Sequence, residues 1–189
     1  IRHDQGSVAV RAAEQRQVTV HAKTTLEGPR AAIRAYREGL KTTLEPGRER
    51  DTVEWTTKRP AGDFQALVQR TVDLDVTVPK DVPVEVGTTF GDLLVRGISG
   101  LKATVPWGAA RVEEIGGDVT LEGRQDKITV VGAEGDVAIT HSTGDVEVSR
   151  VGGSLTVRNQ FAAIRAEGIG RRVEAENRSG GVTLKNVIG

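Results

Sequence analysis

The sequence predicts a mainly β protein, a single-chain parallel β-solenoid (β-helix) with about 18 residues per coil and one short N-terminal helix. Three observations support this fold. Apolar residues recur with a period of 18, each recurring set follows the alternation of a β-strand, and 18 of the 23 glycines lie after residue 81, where the repeat is regular. Self-similarity at a fixed period is typical of proteins that stack identical units.

The repeat occupies residues 82 to 189 and contains six units. Within a unit the apolar positions are spaced +2, +7, +2 and +3, and the next unit usually begins four residues later. The six sets are Val84, Val86, Leu93, Val95, Ile98; Leu101, Ala103, Ala110, Val112, Ile115; Val119, Leu121, Ile128, Val130, Ala133; Val137, Ile139, Val146, Val148, Val151; Leu155, Val157, Ile164, Ala166, Ile169; and Val173, Ala175, Val182, Leu184, Val187.

A step of two residues is the period of a β-strand, because alternate side chains face the same side. Each unit is therefore predicted to form two short strands and a corner, with Val and Ile filling positions that suit a pleated surface. The links between units are too short for a crossover helix, so equivalent strands are predicted to stack in parallel. Six coils spaced by about 4.8 Å would form a rod roughly 29 Å long.

Glycine closes five of the six units, at Gly100, Gly117, Gly135, Gly153 and Gly189. We expect it there either because the corner requires positive φ or because stacked backbones approach closely. The chain has only six aromatic residues, as expected of a narrow coil that has room for aliphatic side chains and little room for rings.

Residues 1 to 81 are less regular and are predicted to cap one end of the solenoid, although the two parts could form one continuous domain. Val8 and Val10, followed by Val18 to Ala22, alternate like strands and indicate the start of an imperfect coil. The other end stops at Gly189 without an evident cap, which suggests a chain that continues or an end used for association.

The rest of this segment contains the predicted helix. Ile33, Tyr36 and Leu40 fall at helical spacing within residues 29 to 40, which begin with Pro29 and have Gly39 near their end. A turn is predicted at residues 45 to 47, followed by strands at residues 52 to 57 and 70 to 78. Pro79 and Pro83 then bracket the entry to the regular coils.

Composition excludes several classes of function. The 26 basic and 26 acidic residues balance overall, and residues 1 to 81 carry 14 basic against 12 acidic groups, so no nucleic-acid partner is expected. The absence of cysteine excludes disulfides and thiolate metal sites. No apolar stretch reaches membrane-spanning length, but a chain that begins at Ile1 and lacks Met is expected to have lost a preceding segment, which could hold a signal peptide or membrane tether.

Several motifs carry a family resemblance. They are the strand Gly-Ser-Val-Ala-Val at residues 6 to 10, the block Val-Asp-Leu-Asp-Val-Thr-Val-Pro at residues 72 to 79, and repeat units such as Thr-Gly-Asp-Val-Glu-Val at residues 143 to 148. The chain resembles the bacterial putative-adhesin family, a β-strand-repeat domain of unknown function related to toast-rack and autotransporter-adhesin-head-like domains. The resemblance implies a β-helical, exported or membrane-tethered protein of the cell envelope, periplasmic or extracellular, with no established activity.

Enzymatic β-helices gather acidic and basic groups from neighbouring coils in the same outward-facing column. The column between the second-strand core positions mixes signs and neutral residues: Leu94, Arg111, Thr129, Glu147, Arg165 and Thr183. No column assembles the carboxylate pair that glycoside hydrolysis requires. Asp118 and Asp136 lie one strand apart and could ligate a cation, but capping of their turns by accepting a backbone N–H is the preferred interpretation. His3, His21 and His141 lack ligand spacing and are predicted to be surface or turn residues.

One corner column is aromatic. It contains Phe90, Trp107, Gln125, Thr143, Phe161 and Ser179. The preferred interpretation is that Phe90 and Trp107 pack beneath the N-terminal helix. The alternative is that they are exposed on a rigid rod, where they could stack on a sugar or anchor a protein.

These observations favour a non-catalytic scaffold or adhesin-like interaction module, with Phe90, Trp107 and Phe161 as candidate contacts for a protein or surface glycan. A carbohydrate-binding or carbohydrate-active β-helix protein is the alternative. No cofactor or metal site is predicted, and self-association through the C-terminal solenoid end is a further expectation.

Overall fold

The computed structural model describes residues 1–46, 53–58, 60–62 and 64–188. These residues form a parallel β-solenoid of about 6 turns with about 18 residues per turn, which confirms the predicted fold class. In chain order the elements are β1 (Arg2–Gln5), β2 (Val8–Ala13), β3 (Thr19–Glu27), α1 (Arg30–Gly39), β4 (Lys41–Pro46), β5 (Val53–Lys58), β6 (Gln69–Pro79), β7 (Val84–Phe90), β8 (Leu93–Arg96), β9 (Leu101–Val105), β10 (Ala110–Ile115), β11 (Val119–Gly123), β12 (Ile128–Ala133), β13 (Val137–Thr140), β14 (Val146–Val151), β15 (Leu155–Phe161), β16 (Ile164–Ile169), β17 (Val173–Ser179) and β18 (Val182–Val187).

The strands form two sheets, and successive strands of the repeat alternate between them. The first sheet has the order β17-β15-β13-β11-β9-β7-β1-β5-β4, and the second has the order β18-β16-β14-β12-β10-β8-β2-β6-β3. One strand from each sheet makes one coil, so the rod grows by one strand in each sheet per repeat. The apolar core lies between the two sheets.

The predicted register is confirmed strand by strand. Val119 pairs in parallel with Leu101 on one side and with Val137 on the other. The step of 17 residues between the first two units is also observed, because Leu93 pairs with Ala110. The predicted core positions of the first five units are all buried, with at most 9% of any of these residues exposed. Burial of the apolar side chains at these core positions is the main driving force for the stacking of the coils.

A left-handed residue explains the +3 step at the end of each unit. The residue before each corner position has φ between 51° and 82°, at Gly97, Glu114, Gly132, Arg150, Gly168 and Asn186. Simple strand alternation would turn the third residue outward. One residue in the left-handed region resets the alternation, so that Ile115 and its equivalents point inward.

Close backbone approach, and not positive φ, explains the unit-closing glycines Gly117, Gly135 and Gly153, whereas a Cβ on Gly100 would have no neighbour nearer than 3.6 Å. A Cβ on Gly117 would lie 2.4 Å from the carbonyl oxygen of Ser99, and one on Gly135 would lie 2.6 Å from the backbone of Gly117. Neither glycine has positive φ, so that half of the expectation is wrong at these positions. Gly189 lies outside the described residues.

The N-terminal strands enter the same two sheets. Strands β1 and β2 pair in parallel with β7 and β8, so the coil expected at Val8 and Val10 is present. The expected coil strand at Val18 to Ala22 is different, because β3 runs antiparallel to β6. A short loop joins β2 to β3, which flank β6 in one sheet, and such a connection reverses the chain direction.

The predicted helix and the strands around residues 52–57 and 70–78 are confirmed by α1, β5 and β6. Strand β4 was not predicted, and it includes Glu45 and Pro46 of the expected turn. Gly47 and Thr52 lie outside the described residues. Strands β4 and β3 form the outer edges at this end of the two sheets. Within the described ranges, no helix is long and apolar enough to span a membrane.

Candidate functional site: the aromatic corner

Phe90, Trp107 and Phe161 lie on one corner of the rod, and we call this set the aromatic corner. Phe90 ends β7 and forms a parallel bridge with Trp107, which follows β9. Phe161 ends β15 and bridges Thr143 on the preceding coil. The register of the repeat therefore determines which aromatic side chains become neighbours.

Phe90 and Trp107 are stacked and open to solvent. Their ring centroids are 6.1 Å apart with an angle of 24° between the ring planes. The exposed fractions are 45% for Phe90, 38% for Trp107 and 47% for Phe161. Contact between the two rings restricts the movement of both. They therefore offer a flat apolar surface that loses little side-chain entropy when a ligand binds.

The preferred sequence interpretation, that these rings pack beneath the helix, is wrong. Helix α1 connects the edge strands β3 and β4, and β1 and β5 separate β7 from β4 in the first sheet. Tyr36 of the helix instead packs edge-on against Phe64, with ring centroids 5.1 Å apart. The helix is thus held at the capped end of the rod, which leaves the aromatic corner uncovered.

Glycines directly after the two stacked rings keep the corner tight. Gly91 and Gly108 have φ of 133° and 140°, and a Cβ on Gly108 would lie 2.2 Å from the carbonyl oxygen of Gly91. Asp92 stabilises the same turn, because its Oδ1 accepts a hydrogen bond of 2.9 Å from the backbone N–H of Ala109. Close backbone stacking at this turn brings Phe90 and Trp107 into contact.

Phe161 does not join the stacked pair. It lies three coils beyond Trp107, a separation of roughly 14 Å at the usual strand spacing. Gln125 and Thr143 occupy the corner on the coils between them, and both are exposed. The corner therefore offers one double-ring platform, a polar stretch and a single ring further along.

A column of buried polar side chains lies behind this corner, and sequence reasoning missed it. Each first-sheet strand has a third inward position, two residues after its second core residue. In five of the layers this position holds a buried polar residue, at Thr57, His3, Thr88, His141 and Asn159. The alternation of inward and outward residues along each strand was a signal that could have indicated this column. The repeat was recognised from its apolar positions alone, which do not include it.

The prediction that His3 and His141 are surface or turn residues is therefore wrong, because they are only 3% and 2% exposed. His21 is exposed, as predicted. Burial lowers the pKa of both His3 and His141. The His141 Nε2 lies 2.9 Å from the carbonyl oxygen of Asp126, as expected for a neutral imidazole whose Nε2–H donates.

Asp118 and Asp136 act as turn caps across neighbouring coils. The Oδ1 of Asp118 accepts a hydrogen bond of 2.8 Å from the backbone N–H of Asp136, and the Oδ1 of Asp136 accepts one of 2.7 Å from Ser154. The capping interpretation is confirmed. Within the part of the chain that the structure describes, no group of three or more His, Asp or Glu residues could hold a metal ion.

The outward columns pair acids with bases from neighbouring coils. Arg158 contacts Glu174 at 3.3 Å and Glu176 at 3.1 Å, and Arg165 contacts Asp145 at 2.9 Å. These side chains are largely exposed, so each pair contributes little to stability. This surface neutralises its own charge and presents no single-sign field.

Comparisons with known proteins give one likeness in structure. No family model matches the chain, and no curated protein matches it. A solved structure of a putative cell adhesion protein from Clostridium sporogenes covers 97% of this chain and 90% of its own, with 9% sequence identity and a TM-score of 0.34. The functional argument therefore rests on the residues of the aromatic corner.

Proposed function

We propose that this protein is a non-catalytic, adhesin-like interaction module of the bacterial cell envelope that binds a surface glycan at its aromatic corner. The exposed stack of Phe90 on Trp107 carries the proposal. Sugar rings have an apolar face, which packs well against a flat aromatic surface. A protein partner that inserts an apolar side chain is the competing occupant.

Rigidity supports a role in binding. Trp107 is held between coils that pair along both sheets, and the turn beside it is closed by Gly91, Gly108 and Asp92. A platform that is already ordered loses little entropy when a ligand binds. The non-catalytic part of the proposal is supported by the ion pairs of the outward columns, in which carboxylates are engaged by bases.

Export to the envelope, or tethering in it, is part of the same proposal. Its support is the resemblance of the motifs at residues 6 to 10, 72 to 79 and 143 to 148 to the putative-adhesin family. Secretion of the native gene product in a bacterial host would test this part, and recovery of the product only from the cytoplasm would contradict it.

Glycan binding can be tested on a microarray of bacterial surface polysaccharides. We expect the wild-type chain to bind a subset of glycans, and Phe90→Ala/Trp107→Ala to lose at least tenfold in affinity. Leu94→Ala is the matched control, because Leu94 is 43% exposed and lies on the outer face of β8. Equal binding by the aromatic variant, or binding to no glycan, would contradict the proposal. Release of reducing ends from bound polysaccharide would contradict its non-catalytic part.

The last coil supports a second proposal, that two copies associate end to end. Val182 and Leu184 occupy core positions but are 43% and 44% exposed. The outer edges of β17 and β18 pair with no described strand. Antiparallel pairing of β17 from one copy with β18 from another would place Glu174 and Glu176 near Lys185. Opposite charges would then face each other across the paired strands.

Sedimentation velocity of the 189-residue chain tests this association. We expect a concentration-dependent dimer that Leu184→Lys dissociates, whereas Leu94→Lys leaves it intact. A wild-type chain that remains monomeric at high concentration would rule out this second proposal.

A further inference from the structure

A concave surface feature lies next to the aromatic corner. It is a cleft of about 860 Å³ at the capped end, between the outer face of β1 and β5 and a wall that includes Pro60, Gly62 and Phe64. Its lining includes Arg2, Asp4, Lys58, Phe64 and Arg70. This volume is within the usual range for small-molecule sites.

The floor of the cleft continues into the aromatic corner. Arg2 pairs with Thr56 and with Gly87, so the register places Asp4 between Lys58 on β5 and Thr89 on β7. On the adjoining corner column, Gln5 pairs with Phe90, and Phe90 bridges Trp107. The path from Trp107 to Lys58 crosses β9, β7, β1 and β5, a distance of roughly 14 Å.

The described lining of the cleft has an excess of positive charge, with Arg2, Lys58 and Arg70 against Asp4 and Glu54. Arg2 is paired with Glu54 at 3.4 Å. Among the described residues, neither Lys58 nor Arg70 has an acidic partner within 4.0 Å, and Asp4 is the remaining carboxylate of the lining. On the outer columns of the coils, by contrast, Arg96, Arg158 and Arg165 contact acidic side chains of neighbouring coils. Unmatched cations in a concave site favour a ligand that carries negative charge.

We propose that the cleft and the Phe90–Trp107 stack form one binding surface for an extended acidic oligosaccharide that lies along the rod axis. This inference rests on the proposed function and specifies its ligand class. Sugar rings pack on Phe90 and Trp107, and sugar carboxylates receive charge-assisted hydrogen bonds from Lys58 and Arg70. Asp4 and Thr89 are placed to bond sugar hydroxyls between these two parts.

The charged contacts separate this inference from simple aromatic stacking. The experiment is calorimetric titration with an oligogalacturonate and with a neutral galactan oligosaccharide of the same length. We expect the oligogalacturonate to bind more tightly and to lose affinity as salt is added. Lys58→Gln/Arg70→Gln should reduce its affinity at least tenfold, because charge-assisted contacts are lost, and leave the neutral oligosaccharide unaffected.

The matched control is Arg16→Gln/Lys23→Gln, which removes the same charge from exposed residues of β3 and of the loop before it, outside the lining of the cleft. Trp107 emission, recorded in a Trp55→Phe background, reports whether the ligand reaches the aromatic corner. Circular dichroism and the melting temperature of each variant establish that it is folded. Inorganic phosphate serves as a competitor, and displacement by phosphate at equal concentration would assign the cleft to a simple anion and overturn the inference.

The remaining outcomes distinguish the two proposals. Equal binding of acidic and neutral oligosaccharides, insensitive to Lys58→Gln/Arg70→Gln but lost with Phe90→Ala/Trp107→Ala, would overturn the acidic ligand and retain the proposed function. Acidic binding that depends on Lys58 and Arg70 but leaves Trp107 emission unchanged would overturn the shared surface and the role of the aromatic corner. Binding of neither oligosaccharide would overturn the acidic oligosaccharide assignment, and the glycan array would then decide the proposed function separately.

Discussion

Val148 and Leu184 occupy the same core column two coils apart, yet one is 2% exposed and the other 44%. Both are aliphatic and both lie at the same position of the repeat. Val148 is covered by coils on either side, whereas Leu184 has a coil on one side. The difference shows that burial in a solenoid depends on the neighbouring coils as much as on the residue itself.

The capped end differs in how its strands are arranged. There β3 and β4 run antiparallel to β6 and β5 and form the outer edges, so that the parallel ladder ends on strands of opposite direction. The last coil keeps the parallel arrangement to its edge. Sequence changes at equivalent positions should therefore have effects that decrease from the middle coils to the last coil.

The largest expected effect comes from a charge in the middle of the core. Val148→Asp should destabilise the protein by about 4 kcal/mol or more, because it places an unpaired carboxylate between packed coils. Leu184→Asp, in the same column, should cost only about 1 kcal/mol, because solvent reaches that position. Urea unfolding of both variants measures the difference, and similar losses would contradict the burial gradient.

The next largest loss of stability is expected where the backbones of neighbouring coils come into close contact. Gly135→Ala should destabilise by about 2 to 4 kcal/mol, because its Cβ would lie 2.6 Å from the backbone of Gly117. Gly181→Ala is the comparison in the last coil, at a different position of the repeat, where no atom lies within 4 Å of the added Cβ, and it should be nearly neutral. Thermal unfolding of the two variants tests the close stacking, which would be refuted by a Gly135→Ala variant that melts like the wild type.

A smaller effect should appear as a dependence on pH. His141 has a lowered pKa in the folded state, because burial disfavours its charged form. Below its ordinary pKa of about 6.5 the unfolded chain binds a proton that the folded chain does not, so stability should fall as pH decreases from 7 toward the folded pKa. His3 shares this behaviour.

Urea midpoints measured between pH 7 and pH 5 would detect this loss. The variant His141→Asn should reduce the slope, because it removes the buried imidazole, and Asn is a suitable replacement because Asn159 occupies the equivalent position on the next coil. An unchanged slope in His141→Asn would show that His141 does not contribute.

The smallest expected effect concerns the left-handed position of each coil. Arg150 has φ of 57°, which costs a residue with a side chain about 1 to 2 kcal/mol, and glycine occupies this position on both neighbouring coils. Arg150→Gly should therefore stabilise by about 0.5 to 1 kcal/mol, after the larger entropy of glycine in the unfolded chain is subtracted. Ser149→Gly, one residue earlier, should destabilise by a similar amount. Differential scanning calorimetry compares them, and destabilisation by both would contradict the strain argument.

Sequence reasoning could predict the repeat because five inward positions of each coil hold aliphatic residues that recur 18 residues later, or 17 at the first step. Register, sheet content and the buried core followed from that one pattern. The buried positions of His3 and His141 could not be found in the same way, because polar residues at inward positions do not extend an apolar column. The alternation of inward and outward residues along each strand did indicate that these two positions face inward.

The site was predicted in part. The register brought Phe90 next to Trp107, but their exposure depended on where α1 packs, and a helix in an irregular segment gives no periodic signal for its docking position. The cleft was not predicted, because Lys58 on β5 and Arg70 on β6 lie outside the repeat. Their proximity depends on the places that β5 takes in the first sheet and β6 takes in the second, which no local pattern specifies.

Acrylamide quenching of Trp107 fluorescence tests the exposed aromatic corner most directly. Trp55→Phe leaves Trp107 as the reporter, because the chain has two tryptophans. We predict ready quenching in the free protein, in keeping with the 38% exposure of Trp107, and protection when an oligosaccharide ligand is added. A Trp107 that is shielded from acrylamide in the free, monomeric protein would contradict the account, because the corner would then be covered before any partner arrives.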